Sequence, residues 1–141
     1  MYRVLMPVDE STGRAMAQAR YVASLPEASE RVSTTVLYVF SDEDSLDPRD
    51  DESGREPEAV ESVADVMAFF DDQGITYEVI KDRGNPTKAI LGQAEELAPD
   101  TIAVGGRKRS PAGKVLFGSV TMDVLRNTDI PVVVAGEATR K

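Results

Sequence analysis

Residues 104–120 read VGGRKRSPAGKVLFGSV, and they join an apolar strand to the start of a helix. Thr101, Ile102, Ala103 and Val104 supply the strand, and Gly105-Gly106 breaks it. A basic loop follows with Arg107, Lys108, Arg109 and Lys114, and Gly118-Ser119-Val120 opens a helical pattern. Strand, glycine-containing loop and helix start form the arrangement with which α/β proteins hold phosphate. Glycines let the backbone approach the anion, and the helix N-terminus offers unpaired N–H groups and a partial positive charge. Ser119 is placed to cap that helix through its hydroxyl. The competing reading is an ordinary strand–loop–helix connection whose glycines only make a turn. A Walker A loop does not fit, because Gly106 to Gly113-Lys114 is too long and Val115 stands where a hydroxyl should coordinate magnesium. A GxGxxG dinucleotide fingerprint is absent.

Upstream of this segment the chain alternates strands and helices. Residues 2–9, YRVLMPVD, form a nearly continuous apolar strand, as expected of one buried on both faces, and it ends at Asp9. A helix over 11–25 carries Ala15, Ala19, Val22 and Ala23 on one stripe, with Arg14, Gln18 and Arg20 off it. Pro26 stops it, and a second strand covers 31–40. Residues 41–57 hold eight carboxylates and almost nothing apolar, which predicts a mobile solvated loop. A helix follows over 58–73 with a stripe of Val60, Val63, Ala64, Met67 and Phe70 or Ala68, and Gly74 closes it. The alternation of Ile75, Tyr77 and Val79 marks a half-exposed edge strand over 75–81. Asn85 as N-cap and Pro86 at the first helical position begin a helix reaching about residue 98; this turn reads as plain helix initiation that need not touch a ligand. Beyond the basic loop come a helix over about 119–126, with Val120, Val124 and Leu125 inward, and a last strand over 131–135. Alternation throughout predicts an α/β fold with a parallel sheet.

Composition narrows the function. At 141 residues the chain is expected to be one domain, and no apolar run approaches the roughly 20 residues of a membrane helix. The N-terminus runs straight into a strand without a leader-like pattern, so a cytoplasmic location is expected, with no membrane partner. Cysteine and histidine are both absent, which removes disulfides, the common zinc sites and any Ser–His or Cys–His pair. Sixteen Lys+Arg against 25 Asp+Glu give a net charge of −9, which argues against general nucleic-acid binding. Acidity of this kind serves solubility, or adaptation to high cytoplasmic salt as in a halophile. Only five of the 16 cations are lysine, which favours the second reading.

The segment from Gly105 to Ser119 resembles the signature of the universal stress protein family. In its nucleotide-binding branch the signature is Gly, two residues, Gly, nine residues, Gly, then Ser or Thr. Gly105 fills the first place and Gly118-Ser119 the last, but the second glycine is replaced by Lys108. The resemblance covers nearly the whole chain. It implies a Rossmann-like, adenine nucleotide alpha hydrolase-like fold: one open five-stranded parallel sheet of order 3-2-1-4-5 with helices on both faces. Asp9 and Gly105 then flank one crevice at the switch point of the sheet, where ligands of such sheets bind.

The resemblance also implies a ligand, ATP or AMP, and its contacts. Adenine would lie against Val8 and Val39, beside Pro7 and Val104 at the strand ends. Ribose would meet Asp9 and Gly105, and phosphates would reach Gly118, Ser119 and Val120, with Arg107 and Lys108 nearby. Asp9 would also touch a nucleotide-bound Mg2+. The last strand, 131–135, would pair with its counterpart in a homodimer, which also protects an aggregation-prone edge.

Three functions remain in play. The first is a cytoplasmic stress-response module that binds an adenine nucleotide. The second is a non-nucleotide dimeric interaction protein in which Lys108 blocks the phosphate site. The third is a slow ATPase, which needs a metal and a group to position water; Asp9 could serve the metal, and the sequence offers no convincing base.

Overall fold

The computed structural model describes residues 1–40, 56–106 and 118–136. Most of the acidic segment, and the basic loop with Arg107, Lys108, Arg109 and Lys114, therefore lie outside the described residues.

Five strands form one parallel sheet: β1 (Tyr2–Val8), β2 (Val32–Phe40), β3 (Thr76–Arg83), β4 (Thr101–Gly106) and β5 (Val132–Gly136). Their order is β3-β2-β1-β4-β5, as the resemblance implies. The period-2 alternation of β1 sends its side chains to two separate cores. Val4, Met6 and Val8 face one side with α1 (Thr12–Ala23) and α3 (Glu61–Gln73). Leu5 faces the other with α4 (Pro86–Leu97) and α5 (Ser119–Asn127). Phe70 of α3 is the largest fully buried side chain among the described residues, and burying a ring of that kind contributes about 1.5–3 kcal/mol.

Several local expectations change. The pair Gly105-Gly106 does not break the strand; both glycines lie within β4, opposite Ala135 and Gly136 of β5. Neither has the positive φ of a turn glycine, unlike Gly74 and Gly84. An extra helical turn, α2 (Ala28–Arg31), precedes β2, so Arg31 is helical and not part of the strand. A 3-10 turn (Pro57–Ala59) comes before α3, which starts only at Glu61. The buried face of α3 is Ser62, Val63, Val66 and Phe70, whereas Ala64 and Ala68 are exposed. Phe70 sets that phase, since the small alanines bury little area wherever they point. Leu125 is exposed, and Thr121 with Val124 forms the inward face of α5. Asn85 caps α4 as expected, its side chain accepting from the Lys88 N–H at 3.0 Å.

The contact of β1 with β4 is short. Its register covers Val4 with Thr101 and Leu5 with Ile102. At the lower end, Asp100 donates its N–H to the Arg3 carbonyl at 2.8 Å, and Arg3 returns its N–H to the Asp100 carboxylate at 2.8 Å. At the upper end the link is a side chain. Gln18 of α1 donates from Nε2 to the carbonyls of Pro7 (2.6 Å) and Ala103 (2.9 Å). Gln18 is only 1% exposed, although its polarity placed it off the apolar stripe of the helix. It stands three residues after Ala15 and four before Val22, on the same face.

Candidate functional site

The upper ends of β1 and β4 open into a cavity of about 460 Å³, within the range of small-molecule sites. It sits where the sheet order reverses between sequence neighbours, the place that open α/β sheets reserve for ligands. Two of its walls differ in character. Val8, Leu37, Val39, Pro86 and Ile90 form an apolar wall from β1, β2 and α4. Asp9, Glu10, Arg14, Gln18 and Thr121 form a polar wall from the β1 end, α1 and α5.

Asp9 is the fixed point of the polar wall. Its Oδ1 accepts the Ser11 N–H at 2.9 Å, which closes the turn into α1. Its Oδ2 accepts from Arg14 Nε at 3.0 Å and lies 2.9 Å from Arg14 Nη2. The Asp9 carbonyl accepts from Ser62 Oγ at 2.6 Å, and Ser62 is fully buried on α3. Ser11 itself is the N-cap, its side chain accepting from the Arg14 N–H at 3.3 Å. Helix-capping and cavity-lining roles thus fall on the same aspartate. The Asp9 and Arg14 side chains keep 48% and 27% of their exposure, so their ion pair orients groups more than it stabilises the fold.

Gly105 forms the facing edge. A Cβ there would lie 3.0 Å from Arg14 Cβ and 3.2 Å from Gln18 Oε1, so the missing side chain admits α1. The Gly105 carbonyl accepts from Thr121 Oγ1 at 3.4 Å, which ties β4 to the first turn of α5. That helix has Gly118 as its N-cap and no side-chain cap; Ser119 is the first helical residue and is exposed, so it does not cap as expected.

Of the residues singled out in the sequence, Pro7, Val8, Asp9, Val39, Val104, Gly105 and Val120 line one cavity. Gly118 and Ser119 do not line it, and Arg107 and Lys108 lie outside the described residues. Pro86 and Ile90 also line it, so the start of α4, which reads in the sequence as plain helix entry, contributes to the cavity wall. Arg14, Gln18 and Thr121 went unnoticed as site residues. For Gln18 the helical phase was a usable signal; Arg14 and Thr121 gave none. A metal is not favoured by the donor set. Among the described residues no three carboxylates gather, and Asp9 is already paired with Arg14.

A family model described as "Universal stress protein family" matches residues 1–136. The chain is similar to the stress response protein NhaX of Bacillus subtilis, at 27% identity over 74 residues, 52% of this chain and 45% of that protein. It spans about half the length of the curated relatives it matches. Among solved structures it resembles a universal stress protein from Archaeoglobus fulgidus, at 28% identity and a TM-score of 0.71, covering 95% of this chain and 98% of that one. A universal stress protein from Archaeoglobus fulgidus in complex with dAMP shares the fold at 23% identity and a TM-score of 0.67, covering 95% and 97%.

Proposed function

The chain belongs to the universal stress protein family, and from that membership we propose that it is a binding module for an adenine nucleotide, ATP or AMP. One observation carries the reading: Asp9 after β1 and Gly105 in β4 meet across a cavity of nucleotide-compatible size. The base lies against the apolar wall, between Val8 and Val39 on one side and Ile90 on the other. The ribose faces Asp9 and Gly105, with Pro7 and Val104 behind it. The phosphates extend toward Val120 and the start of α5 at Gly118 and Ser119, with Arg107 and Lys108 following directly on β4 in the sequence. The dAMP held by the Archaeoglobus fulgidus relative supports the ligand class. In this reading the protein is cytoplasmic, and it dimerises through 131–135, where Pro131 is exposed and the residues from Val132 to Ala135 are only half-buried at the edge of the sheet. The net charge of −9 keeps it soluble in concentrated salt. Mg2+ comes with the phosphates.

The test is direct. The protein is purified in high salt and denatured, and the released small molecules are identified by chromatography and mass spectrometry. Stoichiometric ATP or AMP is the expected result. An empty protein that also shows no thermal shift with added ATP and magnesium sinks the proposal and leaves the dimeric interaction reading, with Lys108 as the block. In that case Lys108→Gly should restore binding.

A further inference from the structure

The polar wall of the cavity contains two carboxylates, Asp9 and Glu10, in a protein of net charge −9. An anionic ligand would be repelled there without compensation. Among the described lining residues Arg14 is the one cation. Its position is built from three sides. Ser11 caps the helix that carries it, Asp9 holds its Nε and Nη2, and the absence of a side chain at Gly105 leaves room for its stem. A Cβ at position 105 would come within 3.0 Å of Arg14 Cβ and 3.5 Å of Arg14 Cδ. Arginine has five N–H donors, and those not used on Asp9 have no partner among the described residues.

We propose that Arg14 is the anion-binding residue of this cavity, taking a phosphate oxygen of the bound nucleotide on its remaining guanidinium N–H groups. The inference rests on the adenine-nucleotide reading and adds to it a basis for selecting the nucleotide over the bare nucleoside. Asp9 acts twice: it faces the sugar and it fixes the guanidinium plane. The phosphate then lies between Arg14 and the first turn of α5, since Thr121 reaches the same Gly105 that Arg14 packs on. A planar donor held in place loses little freedom on binding, so Lys is a poor substitute. Arg14 also supplies, from α1, a positive charge that does not depend on the sequence segment where Lys108 stands in place of glycine.

The experiment is calorimetric titration of the full chain with AMP and with adenosine, for the wild type, Arg14→Gln and Arg14→Lys, at two salt concentrations. Arg14→Gln should weaken AMP about tenfold or more, the effect of losing a charged hydrogen bond, while adenosine affinity stays about the same. Arg14→Lys should fall between, and the salt dependence of AMP binding should flatten in Arg14→Gln. Equal losses for AMP and adenosine would show a purely structural role and overturn the proposal. Unchanged AMP binding would overturn it too, while leaving the nucleotide reading intact. A wild type that binds neither ligand overturns both, and that outcome is seen before any variant is compared.

Discussion

The side-chain amide of Gln18 donates a 2.9 Å hydrogen bond to the carbonyl of Ala103, 85 residues away in the sequence. The same nitrogen reaches the Pro7 carbonyl at 2.6 Å, so one helix residue spans the point where β1 and β4 stop pairing. The crevice can open there without leaving buried carbonyls unpaired. A parallel sheet that separates its central strands gives up ladder bonds, and this amide replaces them.

Gln18→Leu keeps the side chain's bulk and removes both bonds. Two carbonyls then lose their buried partner, and stability should fall by about 2–4 kcal/mol in urea unfolding at neutral pH. Gln18→Glu sharpens the test. Its carboxylate would face two carbonyl oxygens, so the folded state should raise its pKa above the unfolded value of about 4.3. The protonated form can donate; the stability it provides is present below that value and is lost as pH rises through the folded pKa. Gln18→Glu should therefore lose most at pH 7 and recover part of the loss on mild acidification. A pH-independent loss would show that shape, not hydrogen bonding, matters at this position.

Two glycines should answer the same substitution with opposite signs. Gly105→Ala drives a methyl to 3.0 Å from Arg14 Cβ and 3.2 Å from Gln18 Oε1, and it should cost about 1–3 kcal/mol. Gly92 is exposed within α4, and an added Cβ there meets nothing within 4 Å. Gly92→Ala should raise stability by about 0.5–1 kcal/mol through helix propensity. Thermal melts of the two variants beside the wild type decide the matter. A neutral Gly105→Ala would mean that α1 yields easily, and the packing account of this glycine would fail.

Thr34 is fully buried on β2, and its Oγ1 has no hydrogen-bond partner among the described residues. It lies between Val32 and Val36, on the face that packs against α1 and α3. Thr34→Val exchanges the hydroxyl for a methyl of nearly the same shape and removes an uncompensated polar group. Stability should rise by about 1 kcal/mol, read as a higher urea midpoint with an unchanged slope. A fall would reveal a partner for that hydroxyl.

Tyr77 donates its hydroxyl to Asp71 Oδ1 at 2.9 Å. Burial, then the hydrogen bond and the charge of Asp71, raise its phenol above the ordinary value of about 10. The sign follows from linkage. In the alkaline range the folded state holds more protons than the unfolded chain, so this contribution is present below about pH 10 and is lost as pH rises past it. Tyr77→Phe should flatten the alkaline limb of a stability–pH curve. Tyr21, raised by burial and by Tyr2, keeps part of that slope in the variant. An identical limb in both proteins would exclude Tyr77 as its source.

Much of the fold was legible in the residues because its signals are local. Near-continuous apolar runs in β1 and β4, Asn85-Pro86 at the start of α4 and Gly74 after α3 each act on their own few residues. The family signature then supplied the strand order, and with it the crevice between Asp9 and Gly105. Small errors arose where local signals were weak: alanines do not set the phase of α3, and Gly105 and Gly106, neither with a positive φ, are part of β4 instead of breaking it.

The sequence by itself determined an α/β alternation, a resemblance to one family and several residues that line the cavity. The tertiary structure alone decided what those residues do to one another. Ser62 meets the Asp9 carbonyl from 53 positions away, Gln18 meets Ala103 from 85, and Thr121 meets Gly105 through a helix packed on a strand. Polar side chains such as Arg14 and Gln18 read as surface in a one-dimensional pattern because polarity favours water on average. Only when distant chain segments bring carbonyls and a carboxylate to them is their burial offset by hydrogen bonds, and that offset is a property of the assembled fold.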